Sequence, residues 1–275
     1  MVDWIVPDWP APPNVKAAAT LRTGGVSEGA FSSLNLGSHV GDDPAAVAEN
    51  RRLVRVALKL PAEPTWLNQV HGVAVVDASS RRAANISASD ATDARSIAVN
   101  AQNPASAEGA TSAAPPTADA SVARGPGAVC VVMTADCLPV LFCDRDGTRV
   151  GAAHAGWRGL AGGVLGATIK SLDVPPSQLM AWLGPAIERD AFEVGDEVHE
   201  AFLKLGAENA AAFRVNARGR WQADLYQLAR NELARLGVSA VYGGGFKCFA
   251  DSERFFSYRR ASRTGRMATL VWLDR

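Results

Sequence analysis

Short apolar runs separated by turn residues dominate the hydrophobic pattern of the chain. Runs rich in β-branched and aromatic residues and bounded by Gly, Asn or Asp are typical of strands. The pattern predicts strands at 15–22, near 128–134, at 138–144, at 148–154, in "MAWLGPAI" and in the closing "MATLVWL". Two shorter strands are expected around 65–79, with His71 and Gly72 at the corner between them.

Helices are predicted between several of these strands. Asp43 and Pro44 are typical of a helix N-terminus, and Lys59 and Pro61 mark the end of the helix that begins there. Further helices are predicted from Gly159 to about 171, over 194–206 and over 222–236. Strands and helices follow one another without the regular repeat of a parallel α/β sheet, so the pattern favours the α+β class.

Residues 80–118 differ in composition from the rest of the chain, being rich in Ala, Ser, Asn and Pro with very few large apolar side chains. Such a segment cannot bury enough surface to offset the entropy cost of ordering it. We therefore predict a flexible surface insertion rather than a linker between domains. The whole chain, 1–275, is predicted to be a single domain.

The charge balance changes the range of expected partners. The chain carries 28 basic and 28 acidic residues, which argues against nucleic acid or an anionic membrane as the main partner. Neither a signal peptide nor a membrane-spanning run is recognisable, so we expect a cytoplasmic protein, and no obligate protein partner is evident. In that compartment the four cysteines, at 130, 137, 143 and 248, are expected to be thiols or metal ligands rather than disulfides.

The stretch "TADCLPVLFCDRDGTRVGAAHAGWRGL" carries the densest candidate chemistry. If its turn pairs Asp144 with Thr148, then His154 faces Leu138, and Cys137 lies diagonally beside the histidine. Cross-strand neighbours and diagonals have Cβ atoms roughly 5 to 8 Å apart. The two side chains are thus close enough to bind one metal ion or to act as nucleophile and base, while two buried core residues remain an alternative.

Other polar groups are expected at the same end of this sheet. Asp136 precedes the cysteine, Arg158 follows the histidine, and His71 adds a second imidazole in a chain with only four histidines. A binding site normally combines an apolar wall with a few convergent polar groups, so these residues favour a site. The arginines of "SERFFSYRRASRTGR" are interpreted as a solvated rim rather than as a phosphate site.

Long motifs outside 80–118 resemble the YfiH-like laccase-domain family, whose members are also called multicopper polyphenol oxidoreductases and purine nucleoside phosphorylases. The motifs are "LRTGGVSEGAFSSLNLGSHVGDDPAAVAENR", "LNQVHG", "TADCLPVLF", "AAHAGWRGL", "LGPAI", "FEVGDEV" and "FFSYRRASRTGRMATLVWL". The resemblance implies a layered α/β/β/α architecture with mixed sheets, similar to that of the cytotoxic necrotizing factor deamidases. It also implies a metal site formed by His71, Cys137 and His154, and a substrate pocket lined by Arg22 and Asn35.

The activity implied by this resemblance is phosphorolysis of adenosine, inosine and methylthioadenosine, together with deamination of adenosine. The expected partners are therefore a purine nucleoside and phosphate. Two imidazoles and one thiolate leave a fourth position open on zinc, as in catalytic zinc sites, so zinc is the expected cofactor. Asp136 and Arg22 are the catalytic candidates, and Arg158 is a further candidate for substrate binding.

Three other functions stay open on these residues. The same donor set suits copper, which keeps a laccase-like polyphenol oxidase possible. A metal-free hydrolase, including an enzyme that edits peptidoglycan, would use Cys137 as nucleophile and His154 as base. A nucleoside sensor or a structural zinc site would bind its ligand without turnover.

Overall fold

The computed structural model describes residues 2–80 and 114–274. Most of the insertion predicted at 80–118 therefore lies outside the described residues. The strands run in chain order as β1 (Trp4–Ile5), β2 (Val15–Thr20), β3 (Val75–Asp77), β4 (Ala120–Arg124), β5 (Val129–Thr134), β6 (Leu138–Asp144), β7 (Arg149–Ala155), β8 (Leu179–Leu183), β9 (Glu193–Val194), β10 (Phe213–Val215), β11 (Trp221–Ala223), β12 (Ala240–Gly243) and β13 (Met267–Leu273). The α-helices are α1 (Pro44–Ala57), α2 (Trp157–Gly162), α3 (Val164–Leu172), α4 (Asp196–Leu203) and α5 (Leu225–Arg235).

Two sheets form the centre of the fold. The larger sheet has six strands in the order β12-β8-β6-β7-β4-β3, with parallel pairing at both edges and antiparallel pairing between. The smaller sheet has four antiparallel strands in the order β1-β2-β13-β5. The strand β13, close to the C-terminal end of the chain, is therefore an inner strand of this sheet and joins β2 to β5.

Alternating side chains place the two sheets face to face between layers of helices. In β5, Val129 and Val131 face α1, whereas Cys130 and Val132 pack with residues of the larger sheet. The strands of the larger sheet likewise place one face in this central core and the other against α3 and α5. Successive side chains of a strand point to opposite faces, so a single strand contributes side chains to the core between the sheets and to the core beneath the helices. The predicted α+β class and layered α/β/β/α arrangement are thus confirmed.

Several predicted elements have different bounds in the structure. The helix α1 begins at Pro44, and the side chain of Asp43 caps it by accepting the N–H of Ala45 at 2.9 Å. The helix predicted from Gly159 to about 171 is instead two helices, α2 and α3, because Gly163 between them adopts a left-handed φ of 94°. No helix among the described residues is long and apolar enough to cross a membrane.

The β6–β7 hairpin differs by one residue from the register assumed above. Leu138 pairs with Ala155 and Pro139 with His154, so the predicted pairing of Leu138 with His154 is wrong. The shift leaves Cys137 two positions before the partner of His154, which keeps the cysteine diagonal to the imidazole. The conclusion that the hairpin brings the two side chains together therefore survives the correction.

Candidate metal centre and substrate cavity

Three side chains converge where β6 begins and β7 ends. The candidate ligand atoms of His71, Cys137 and His154 all lie within 4.8 Å of one another. The Sγ of Cys137 is 3.7 Å from Nε2 of His71, and the two imidazole rings meet edge to face with centroids 4.7 Å apart. We call these three residues the His–Cys–His cluster.

The backbone at two corners aims the cluster. His71 has a left-handed φ of 61°, and Asp136, directly before the cysteine, has a φ of 95°. Non-glycine residues seldom adopt such angles, and they do so where the surrounding contacts hold them there. Gly156, two residues after His154, leaves space for the cluster. A Cβ on this residue would lie 2.9 Å from Sγ of Cys137 and 3.0 Å from Cδ2 of His71.

A buried carboxylate, Asp119, holds two arms of the cluster in place. Its Oδ1 accepts Nδ1–H of His154 at 2.8 Å and the backbone N–H of His71 at 2.9 Å. Its Oδ2 accepts the backbone N–H groups of Val70 and Gly72 at 3.1 and 2.6 Å. A carboxylate on Nδ1 leaves Nε2 of the imidazole free for a metal, which is the usual second-shell arrangement around metal-bound histidine.

Sequence analysis did not single out Asp119. The residue precedes β4, and its carboxylate reaches corners that are distant along the chain, at 70–72 and at 154. The available signal was an acidic residue between alanines at the start of an apolar strand, in "TADASV". A charged side chain in such a position needs several partners when it is buried, and these partners are visible only in the fold.

The two imidazoles of the cluster lower the pKa of the Cys137 thiol. Burial raises the pKa of Cys137, but the charge of His154 and hydrogen bonds from His154 and His71 outweigh burial, so that the pKa falls below its ordinary value. The thiols of Cys130 and Cys143 lack such neighbours, and burial raises the pKa of each to about 12. Cys137 is therefore the thiol of this group that is suited to act as a thiolate, either as a metal ligand or as a nucleophile.

The donor set fits a metal ion of zinc or copper type. Two imidazole nitrogens and one thiolate are ligands of catalytic zinc and of mononuclear copper. The cluster is the one group of three or more His, Cys, Asp or Glu within ligand distance in the described ranges. The whole chain has four histidines, of which His39 and His199 lie outside the cluster. A second, histidine-rich copper centre therefore lacks ligands.

The cluster opens into a cavity of about 450 Å³, a size typical of small-molecule sites. Aromatic and apolar walls come from Trp157, Phe192, Tyr258, Ile187 and Met133. The charged groups that line it are Asp136, Arg158, Arg259 and Arg266, and His39 adds an imidazole whose pKa is lowered by burial and by the charge of Arg266. Interpreting the arginines of the C-terminal motif as a solvated rim was therefore wrong for Arg266, which is half-buried in the cavity wall, whereas Arg259 is exposed at the cavity.

Asp136 presents one oxygen without a partner. Its Oδ2 accepts the backbone N–H of Arg259 at 2.6 Å, whereas Oδ1 is buried and has no hydrogen-bond partner among the described residues. Burial raises the pKa of this carboxyl, opposed by the hydrogen bond from Arg259. A buried carboxylate oxygen without a protein partner still needs a hydrogen-bond donor, which a group bound in the cavity would supply.

The structure places Arg22 and Asn35 behind the cavity rather than among the residues that line it. The guanidinium of Arg22 donates to the carbonyls of Ser32 and Ser252 at 2.9 to 3.1 Å and lies over the ring of Phe256. Asn35 is fully buried, and its Oδ1 accepts the backbone N–H of Arg266 at 2.9 Å. Both residues thus support the C-terminal segment that carries the cavity arginines.

The match to known proteins covers the cavity and the fold around it. Residues 16–274 match the family model described as multi-copper polyphenol oxidoreductase laccase. The chain belongs to this family. It is 53% identical over 272 residues to a purine nucleoside phosphorylase of Pseudomonas aeruginosa, and the match covers 98% of each chain.

Two further comparisons agree with this assignment. The chain is 46% identical over 269 residues to the purine nucleoside phosphorylase YfiH of Escherichia coli, again over 98% of each chain. The crystal structure of a Neisseria meningitidis protein superposes with a TM-score of 0.83 at 50% identity and covers 99% of both chains. The predicted membership in the YfiH-like laccase-domain family is confirmed.

Proposed function

We propose that this member of the family is a metal-dependent purine nucleoside phosphorylase that cleaves adenosine, inosine and methylthioadenosine with inorganic phosphate. The observation that carries the proposal is the joining of three features in one cavity: the His–Cys–His cluster, an aromatic wall, and arginines beside an unpartnered carboxylate oxygen. Relatives at 53% and 46% identity over nearly the whole chain are named purine nucleoside phosphorylases, which supports the same substrate class.

Each wall of the cavity suits one part of a nucleoside. The rings of Trp157, Phe192 and Tyr258 offer flat apolar surfaces on which a purine base can stack. The free Oδ1 of Asp136 can accept a hydrogen bond from a ribose hydroxyl or from an N–H of the base. The arginines supply donors in a planar fork that matches a phosphate group.

His71, Cys137 and His154 would hold the metal, which we propose to be zinc. Bound there, zinc would act as a Lewis acid beside the substrate. The chain itself keeps the ligands ready for it. Asp119 fixes the ring of His154, and the neighbouring imidazoles stabilise the thiolate of Cys137.

Arg22 and Asn35 have supporting roles in this proposal. Asn35 holds the backbone of Arg266, and Arg22 ties Ser32 to Ser252 at the start of the segment that carries the cavity arginines. Their replacement is expected to weaken substrate binding by loosening that segment, and they do not touch the substrate themselves.

A metal-free Cys–His hydrolase is the second candidate, because one observation favours it. The thiol of Cys137, the imidazole of His154 and the carboxylate of Asp119 follow one another as nucleophile, base and orienting group. That mechanism leaves His71 without a role, although His71 is the residue whose Nε2 lies 3.7 Å from the thiol. The metal-dependent reaction uses all three side chains and is therefore the proposal.

The test is analysis by mass spectrometry of the products from adenosine and inosine, using purified protein of measured metal content, with and without phosphate. Free base and ribose 1-phosphate that form only with phosphate are the expected products. Inosine formed from adenosine without phosphate would establish the deamination that the family resemblance implies. Nucleosides recovered unchanged from fully metal-loaded protein would contradict the proposal.

The same assay should separate the role of Asp136 from that of the metal. Asp136→Asn keeps the size of the side chain and leaves the three candidate ligands in place. We expect turnover to fall while the metal content stays at the wild-type value. Asp144→Asn, in the turn of the β6–β7 hairpin, is a matched carboxylate control, because Asp144 bonds to Thr148 and Arg149 and does not line the cavity.

A further inference from the structure

The cavity arginines differ in how many of their hydrogen-bond donors are already used. The Nη1 of Arg266 donates to the carbonyls of Thr264 and Gly265, both at 3.0 Å. The side chain of Arg158 makes no hydrogen bond or ion pair with any part of the chain that the structure describes, and its guanidinium lies 4.4 Å from the centre of the Trp157 ring. A guanidinium held against an indole face keeps its in-plane N–H donors free.

Arg259 is anchored on one side and open on the other. Its Nη1 donates to the carbonyls of Ala191 and Glu193 at 3.2 and 3.0 Å, and its backbone N–H bonds to Asp136. Nε and Nη2 have no partner among the described residues. Anchoring through a single nitrogen fixes the direction of the guanidinium and leaves two adjacent donors for a ligand. Arg266 is anchored in the same way through Nη1, but it does not line the cleft beside the cavity that Arg158 and Arg259 share. We call Arg158 and Arg259 the arginine pair.

The arginine pair stands at one boundary of the cavity. Both residues line the cavity and also a neighbouring cleft of about 320 Å³, so they lie between the two spaces. Trp157 and Phe192, the rings against which they lie, are shared by the same two spaces. An anion bound here lies beside the aromatic wall on which a base would stack.

The charges around the pair favour an anion. In the cavity the pair is joined by Arg266 and is opposed by Asp136. In the cleft the charge of Glu193 is paired with that of Arg218, and the same carboxylate accepts Nδ2–H of Asn216 at 2.7 Å. The remaining charged residues of the cleft are Glu197 and Arg220, which oppose each other in sign. The balance of charge is therefore positive on the cavity side of the pair.

Arg22 has fewer free donors and a different position. Its Nε and Nη2 donate to the carbonyl of Ser32, and its Nη1 donates to the carbonyl of Ser252. These bonds use three of its five N–H donors, and the side chain does not line the cavity. The free arginines, and not Arg22, have the chemistry for phosphate.

We infer that the arginine pair is the binding site for the inorganic phosphate of the proposed phosphorolysis, an inference that rests on the proposed function. An oxygen of hydrogen phosphate forms the new bond to ribose C1′ while the bond from C1′ to the base nitrogen breaks. The electron pair of the broken bond leaves with the base, and the proton of the phosphate ends on that base. Ribose 1-phosphate and free purine are the products, and no oxidant or reductant is needed.

The experiment compares KM for phosphate and KM for inosine in the metal-loaded wild type and three variants. Arg158→Gln removes the free guanidinium, and Arg259→Lys keeps the charge but not the planar donor pair. The control is Arg220→Gln, an arginine that lines only the neighbouring cleft. We expect KM for phosphate to rise about tenfold or more in both test variants, with KM for inosine changed less than about twofold. The control should match the wild type.

Two results separate the failure of this inference from the failure of the proposed function. Wild-type KM for phosphate in both Arg158→Gln and Arg259→Lys would overturn the arginine pair while phosphorolysis itself stands. If the wild type shows no phosphorolysis, calorimetric titration with inorganic phosphate still tests the site. Binding to the wild type and to Arg220→Gln that is lost in Arg158→Gln would support it, and equal binding to Arg158→Gln, or none to the wild type, would overturn it.

Discussion

At the His–Cys–His cluster the imidazole of His154 is held by a buried carboxylate, whereas four residues further along the chain the guanidinium of Arg158 lies against the Trp157 ring without a hydrogen-bond partner among the described residues. The two groups thus differ in how many of their hydrogen bonds the protein itself supplies. Asp119 receives four hydrogen bonds and thereby fixes both histidine arms of the cluster. In the arginine pair, the donors of Arg158 and the Nε and Nη2 of Arg259 have no partner in the described part of the chain.

This difference agrees with the ligands that we propose for each part. Metal ligands must be held at short, fixed distances, so their supporting hydrogen bonds belong to the folded protein. A phosphate brings its own acceptor oxygens and needs donors that have not been used. The two parts of one cavity should therefore respond differently to mutation. The arginine variants described above test the phosphate side, and four further experiments test the metal side.

Loss of a cluster imidazole should have the largest effect. In His71→Ala the exposed side chain is removed at little cost to the core, and the metal loses one of its three protein ligands. We expect the metal content of the purified protein, measured by plasma mass spectrometry, to fall about tenfold or more. His199→Ala is the matched control, since His199 stacks on Trp221 away from the cluster, and it should keep the wild-type content. Full metal content in His71→Ala would refute the ligand assignment.

Metal removal should expose a single thiol. After chelation, iodoacetamide is expected to modify Cys137, while Cys130, Cys143 and Cys248 stay unmodified because each is 0% exposed. In metal-loaded protein the Cys137 thiolate is bound and protected. Peptide mapping by mass spectrometry reads out all four positions. Complete alkylation of Cys137 in protein that retains its metal would instead favour the Cys–His hydrolase.

Asp119→Asn should weaken metal binding without removing a ligand. The carboxylate accepts four donors, whereas an amide oxygen accepts about two and its NH2 group faces the donors left over. We expect metal affinity to fall roughly 10- to 100-fold and the free energy of unfolding to fall by about 1 to 3 kcal/mol. Competition with a chromophoric chelator measures the affinity.

The control for this variant is Asp77→Asn in β3, where the carboxylate accepts one backbone N–H, from Ser79, and lies 3.9 Å from Arg124. Its metal affinity should equal that of the wild type. If both variants lost affinity equally, Asp119 would have no special connection to the cluster.

Gly156→Ala should have the smallest effect of the four. The backbone at Gly156 has φ −61° and ψ 158°, which alanine also adopts, so the change acts through contact alone. The new Cβ would meet Sγ of Cys137 at 2.9 Å and shift it. We expect metal affinity to fall by less than in Asp119→Asn. Gly166→Ala, whose Cβ would have 3.4 Å to Leu236, should leave affinity unchanged.

Local sequence patterns were sufficient where the site depends on neighbouring strands. The turn between β6 and β7 brings Cys137 near His154 even though the predicted register was one residue off. The nearly unbroken apolar runs of β5 and β6 are consistent with burial on both faces, which places each strand between layers. Here the sequence carries the information because the apolar run and the short turn are local features of the chain.

Contacts between distant segments were beyond the reach of such patterns. Asp119 bonds to the 70–72 corner, and Arg259 reaches the cavity because the chain returns along β13, which pairs with β5. Nothing in the spacing of the C-terminal arginines distinguishes Arg259, which lines the cavity, from Arg263, which does not. The distinction comes from the folded chain, in which the backbone N–H of Arg259 bonds to Asp136 in the cavity wall.

The central claim is that His71, Cys137 and His154 bind one metal ion beside the substrate cavity. The most direct test is a crystal structure of the protein as purified, with anomalous diffraction data collected at the zinc and copper absorption edges. We expect one zinc peak within bonding distance of the three side chains, with Nδ1 of His154 still hydrogen-bonded to Asp119. A metal peak elsewhere, or fully metal-loaded protein with no peak at the cluster, would contradict it.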